Sequence, residues 1–212
     1  INEAENELLV LDRGNFRLVR IDLDTKKIKG SVNVGRQPFG LAISPDKKQA
    51  FVANVGVYSY PLIEGATPAN YDSLMISHHP YGDNNKVIKK FKTGHQIGQT
   101  VEDAEVVGGA SPNSIAVGKQ FAYITNATND NITIIDHLSQ EIVGHIPIKV
   151  DPRIDKYRGL LPFGITMDKA EKTLYVALLG FNAVAVIDIP SQTTKGLIPS
   201  GWGPTRVELS KD

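Results

Sequence analysis

The chain has 212 residues and a mass of 23.1 kDa, with 41% hydrophobic and 22% charged residues, an ordinary globular balance. Its 23 basic and 23 acidic residues give a formal net charge of +0, so no strong field draws in nucleic acid or a membrane surface. It has no cysteine, which excludes disulfides and thiolate metal ligands, and no apolar run near the roughly 20 residues that cross a bilayer as a helix.

Short stretches rich in Val, Ile and Tyr follow one another, each bounded by turn residues, which is the signature of strands. In chain order, Leu8–Asp12 reads as a strand, the next ends in Ile21-Asp22, and Ile28–Val34 follows. A proline turn leads into Gln37–Ser44, then a polar turn at Pro45–Lys48 and a strand at Ala50–Asn54. Val57–Asp72 interrupts the pattern, Val87–Lys92 resumes it, and Gly94–Gly109 interrupts it again. Ser111–Val117, Ala122–Asn126, a strand ending in Ile135-Asp136 and Ile142–Ile148 come next. Beyond Val150–Leu160 lie Leu161–Met167, Leu174–Leu178, a strand ending in Ile187-Asp188, and Gly196–Ser200. Gly203–Ser210 repeats the proline-led strand a fourth time. No long stretch has helical periodicity with caps, so no helix of any length is expected.

The recurrence is metrical. Fourteen residues separate Leu8 from Asp22, Ala122 from Asp136 and Leu174 from Asp188. Pro162 and Pro204 are 42 apart, as are Leu9 and Phe51. A four-stranded unit of about 40–45 residues is the length of one β-propeller blade. The expected fold is all-β, a β-propeller of four-stranded antiparallel blades with four repeats. It forms either a closed four-blade ring or part of a larger one. Residues 1–212 read as a single propeller domain or a propeller fragment, with loop insertions at about 57–72, 94–109 and 150–160. Both ends read as cuts rather than natural termini.

At these residues the sequence resembles the YVTN β-propeller family. The matches are the strand Tyr123-Ile124-Thr125-Asn126, the pair Ile135-Asp136 and the turn from Pro38 to Asp46. A narrower likeness lies at Gly108–Ser114, Arg158–Gly164, Asn182–Asp188 and Gly201–Thr205. These segments look like bacterial proteins in which such a propeller precedes an alkaline-phosphatase-type phosphoesterase domain. That resemblance implies an exported protein, periplasmic or extracellular, and a ring of more than four blades, with seven expected. The catalytic metal site of those proteins lies in the other domain and carries nothing onto this chain. The pattern is lost at Gly118-Lys119-Gln120 and at Ser210-Lys211-Asp212.

In a propeller the first strand of each blade lines the central channel, and the loops beside it face one mouth. Arg13, Arg36, Arg158 and Arg206 fall in such loops. Converging guanidinium forks suit a phosphate or carboxylate, while the alternative reading leaves them solvated or paired with acidic neighbours. Asn54, Asn113, Asn126 and Asn182 recur there too, where asparagine serves unusual turn angles. Trp202 and Phe39 either stack a ring at the mouth or pack between blades. The channel-lining slots read Ala42, Ala116, Thr166 and Glu208. The expected ligand-binding set at the mouth is Arg36, Asn113, Arg158, Trp202 and Arg206, with no catalytic residue and no metal ligand.

His78 and His79 with Asp83 form a candidate for zinc or another transition metal, weakened because successive side chains on extended backbone diverge. His95, His137 and His145 fall in different repeats and suggest no shared site. Glu102, Asp103 and Glu105 read as a solvated acidic loop, with calcium as the alternative; no other cofactor is expected. No nucleophile elbow, phosphate loop or dinucleotide fingerprint occurs. The functional expectation is a non-catalytic binding or scaffolding module of an exported bacterial protein. It takes a small ligand, anionic by its arginines, or a protein partner such as the rest of a larger propeller; nucleic acid is not a partner. The alternative is part of a phosphoesterase or lactonase-like propeller hydrolase.

Overall fold

A strand can bury both faces only if a sheet lies on each side of it, and the sequence offers several strands apolar at consecutive positions. The computed structural model describes residues 1–56, 75–80 (as backbone), 87–96, 98–106 and 108–210. The first sheet holds β1 (Glu7–Asp12), β2 (Arg17–Asp22) and β3 (Ile28–Asn33). The second holds β4 (Pro38–Ile43), β5 (Gln49–Asn54), β6 (Met75–Pro80) and β7 (Lys89–Lys92). A two-stranded hairpin, β8 (Thr100–Val101) and β9 (Ala104–Glu105), stands in the next connection. The third sheet is β10 (Pro112–Val117), β11 (Phe121–Asn126), β12 (Asn131–Asp136) and β13 (Glu141–Pro147). The fourth is β14 (Pro162–Met167), β15 (Thr173–Leu178), β16 (Ala183–Asp188) and β17 (Thr193–Pro199). Each sheet is an antiparallel meander in chain order. Among the described residues helical structure is confined to three-residue 3₁₀ turns at Glu3–Glu5, Ala127–Asn129 and Pro152–Ile154.

Three apolar clusters lie between successive sheets. Leu9 and Leu18 of the first sheet meet Ala50 and Val52 of the second. Phe51 and Ala53, pointing the other way from the same strand, meet Ile115, Ala122 and Ile124 of the third. Tyr123, Ile132 and Ile134 then pack on Ile165, Leu174, Val176 and Ile187 of the fourth. The middle sheets are thus covered on both faces, whereas β16 alternates buried Ala183, Ala185 and Ile187 with half-exposed Val184 and Val186. The outer strands β3, β13 and β17 are mostly exposed.

The turns explain the repeated polar residues. The Asp of each Ile-Asp pair accepts backbone N–H groups of the following turn. Asp22 takes Thr25 N (2.7 Å), Asp136 takes Leu138 N (2.9 Å) and Asp188 takes Ser191 N (3.0 Å). Hydrogen bonds from Lys195 and then Ser191 hold the Asp188 carboxyl down at about 2. Asn126, fully buried, donates from Nδ2 to Asn131 Oδ1 and Thr133 Oγ1, both at 2.8 Å. Where the family-like turn is lost, the fourth sheet substitutes for it: Lys119 N donates to Glu171 Oε1 (3.2 Å) and Oε2 (3.1 Å). The third strand of the second sheet has no Ile-Asp pair. Its place is taken by the segment with His78 and His79, consecutive residues of β6 opposite Phe51 and Ala50. Asp83 and the insertion at 57–72 lie outside the described residues.

One hydroxyl ties the third sheet to the fourth. Buried Thr125 donates from Oγ1 to Phe163 O (2.7 Å) and accepts from Ser114 N (3.1 Å). Thr125→Val keeps the shape and removes the donor, depriving the half-buried Phe163 carbonyl of this bond. It is expected to cost about 1–3 kcal/mol, read as a lower urea midpoint with an unchanged m-value.

Candidate functional site

The first strands of the second, third and fourth sheets, β4, β10 and β14, and the segment 204–210 pass close to one another. Each follows the same turn, a left-handed residue directly before proline: Gln37 (φ 52°), Ser111 (φ 50°), Leu161 (φ 51°) and Gly203 (φ 60°). The next slot then holds Phe39, Asn113, Phe163 and Thr205, and the slot after it Gly40, Ser114, Gly164 and Arg206. A Cβ on Gly40 would stand 2.3 Å from Asn113 O, and one on Gly164 would stand 2.6 Å from Thr205 O. At Gly40 and Gly164 the backbone of the next repeat therefore passes too closely for a side chain, whereas the third sheet has Ser114 at this slot. Arg206 occupies the equivalent position in the last repeat with its side chain 81% exposed.

These strands enclose a cavity of about 480 Å³, lined by Phe39, Asn113, Phe163, Thr166, Arg206 and Glu208 among others. Phe39 and Phe163 meet edge to face across it with centroids 5.4 Å apart, a favoured aromatic geometry. The Arg13 guanidinium lies 5.1 Å from the Phe39 ring centroid, and its Nη2 donates to Gln37 Oε1 (3.2 Å). Asn113 is buried and donates from Nδ2 to Ser111 O (2.8 Å). Arg206 Nε donates to Glu208 Oε1 (2.7 Å), an exposed pair.

The five expected binding residues are distributed unevenly. Asn113 and Arg206 share this cavity. Arg158 lines a second cavity, on the flank of the third sheet, where it pairs with Glu102. Arg36 and Trp202 line neither. Arg36 is exposed, and its carbonyl accepts Gly56 N (3.1 Å). Trp202 is 94% exposed, so it does not pack between blades as one of its two readings held; Phe39, 41% exposed, lines the cavity. Of the expected channel slots, Thr166 and Glu208 line the cavity, while Ala42 and Ala116 belong to the packing between sheets. Asn182 serves a turn, at φ 53° with Oδ1 accepting Gly203 N (2.9 Å).

Two further expectations need correction. His95 and His145 do share a site: their rings lie 5.5 Å apart, brought together by the insertion that folds back on the third sheet. His145 Nδ1 is 3.1 Å from Thr133 Oγ1, and His95 N donates to Asn129 Oδ1 (2.8 Å). The acidic loop is also not simply solvated, since Glu102 reaches Lys149 Nζ at 2.6 Å. Nothing in the repeat marks these contacts, because His95 and Glu102 both lie in an insertion of irregular length. Among the described residues no group of three His, Asp or Glu side chains is placed to hold a metal ion.

No family model matches the sequence, and no curated protein does. Solved structures do. Hydrazine synthase of Kuenenia stuttgartiensis is 21% identical, with a TM-score of 0.63 over 92% of this chain and 47% of that one. A functionally unknown protein from Desulfotomaculum acetoxidans DSM 771 is 14% identical, with a TM-score of 0.67 over 97% and 56%. A catalytically inactive virginiamycin B lyase from Staphylococcus aureus, with quinupristin, is 17% identical, with a TM-score of 0.65 over 97% and 57%. The chain has a β-propeller fold. It spans about half the length of these structures. Among the described residues the ring is not closed: β1 pairs only with β2, and 204–210 join no sheet.

Burial holds both His95 and His145 below the ordinary histidine value, and in His145 the neighbouring His95 adds to it. The unfolded chain, titrating near about 6.5, then binds more protons than the folded one, so stability is full above that value and falls as pH drops below it. Acidification from pH 7.5 to 5.5 is expected to lower the urea midpoint. The drop should be smaller in His145→Gln, measured against its own midpoint at pH 7.5.

Proposed function

We propose that this chain is a non-catalytic binding or scaffolding arc of a larger, seven-bladed β-propeller exported by a bacterium. It takes a small anionic ligand or a partner at the cavity framed by its first strands. The observation that carries this reading is the cavity itself. Its lining is mostly polar, with the edge-to-face rings of Phe39 and Phe163 as the apolar part, and Arg206 stands at the edge with its guanidinium on the exposed Glu208 carboxylate. Such a mixed lining suits a small ligand that carries both a ring and a negative charge. Asn113 and Arg206 are the proposed contacts, with Phe39 and Phe163 as the stacking surface.

The larger ring is supported by burial. Sheets two and three are covered on both faces, whereas the fourth keeps Val184 and Val186 half-exposed on the side away from the third. The YVTN-like repeat and the segments resembling phosphoesterase-linked propellers support export and a neighbouring catalytic domain. No helix among the described residues is long and apolar enough to cross a membrane.

Benzoate carries the chemistry the cavity offers to match, a ring and a carboxylate. In an amide NMR titration it is expected to shift Gly40, Ser114, Gly164 and Val207. Arg206→Gln should weaken binding about fivefold, the scale of one partly exposed charged contact. Shifts absent from these strands, or an affinity indifferent to Arg206, would overturn the reading.

A further inference from the structure

The insertion after β7 is built rather than loose. Gly98 N donates to Val106 O (3.0 Å) and Val106 N to Gln99 O (2.8 Å), closing the β8–β9 hairpin. Its two tip residues, Glu102 (φ 50°) and Asp103 (φ 65°), both adopt the left-handed region. Hairpin turns of this kind favour Asn and Gly, so two acidic residues there carry backbone strain. That tip places the Glu102 carboxylate between two cations from the far side of a cavity. Lys149 Nζ lies at 2.6 Å, and the Arg158 guanidinium donates to the other oxygen. Lys149 and then Arg158 hold the Glu102 carboxyl down at about 2.

Lys149 has a second anchor besides Glu102, and the backbone beside Arg158 is held in place. Lys149 Nζ also donates to Asp155 O (2.6 Å). The backbone beside Arg158 is clamped by buried Asp130, whose oxygens accept Gly159 N (2.7 Å) and Leu161 N (3.0 Å). Under the hairpin lies a cavity of about 450 Å³ with aliphatic walls at Val101, Ala104, Val106, Pro147 and Ile148. Buried Asn131 lines it, with Oδ1 bound to Asn126 and Nδ2 without a partner among the described residues.

We propose that this flank cavity is a binding site for a small aliphatic carboxylate, and that Glu102 occupies its two cations as an internal stand-in for the ligand. A ligand carboxylate takes over Lys149 and Arg158, its tail fills the aliphatic space, and the hairpin tip is released. The exchange is feasible because half-exposed ion pairs are individually weak. This site is separate from the channel cavity and uses none of its residues.

Hexanoate, titrated into the whole chain and followed by amide shifts of Val101, Ala104 and Ile148, tests it. Glu102→Gln is expected to tighten binding about fivefold by freeing the cations. Glu102→Asp, too short to span both, should fall between it and the native chain. Adding Arg158→Gln to Glu102→Gln should abolish binding. Equal affinity in the native and Glu102→Gln chains, binding that survives loss of Arg158, or no hexanoate-dependent shift in either chain would overturn the proposal.

Discussion

The close passage of neighbouring first strands is the constraint on which the rest of the structure depends. With Gly40 against Asn113 and Gly164 against Thr205, the sheets come near enough for the apolar faces behind those strands to interlock. The same approach lets one hydroxyl, that of Thr125, span two sheets. It also leaves the second-slot side chains, Phe39 and Phe163, no room between strands, so they turn inward and meet across the cavity. Packing and site thus follow from one steric condition. The residues that satisfy it are the smallest available, in the middle of strands that would otherwise favour larger ones.

Most of the fold was legible because a repeat prints the same physical requirement several times. Each Ile-Asp pair marks a strand end followed by a turn whose N–H groups the Asp accepts, and each proline that leads a repeat follows a left-handed residue. Buried Asn126 shows one use of asparagine at that strand end: its amide donates to side chains of the next strand, β12. Legibility failed where repetition failed. The second sheet's third strand lacked the Ile-Asp mark and was read only as a histidine pair. The meeting of His95 with His145, and of Glu102 with Lys149 and Arg158, depends on the insertion at 94–109, which occurs once. Strand parity was a subtler loss. A residue that alternates toward the channel in a flat strand, such as Ala42, is carried into the inter-sheet packing where the β4–β5 register shifts between Pro38 and Gly40.

The site was legible in part for the same reason. Asn113 and Arg206 occupy repeat slots, so their placement beside the cavity could be read from register. Arg36 and Trp202 lie in connecting loops, whose path a period does not fix. Fold alone selects no activity, since propellers similar to this one include a hydrazine synthase and a virginiamycin B lyase. The two cavities therefore carry the functional argument through their own chemistry. One is aromatic with a single accessible guanidinium, and the other is aliphatic with two cations already occupied by a carboxylate.

Thermal melting of two alanine substitutions tests the steric condition most directly. In Gly40→Ala the added carbon meets the backbone of the next first strand, whereas in Gly196→Ala, on the outermost strand β17, it meets nothing within 4 Å. The account predicts that Gly40→Ala melts about 5 °C lower, the scale of an overpacked contact in a chain of this length, while Gly196→Ala is unchanged or slightly raised. Equal melting temperatures for the two variants would contradict it.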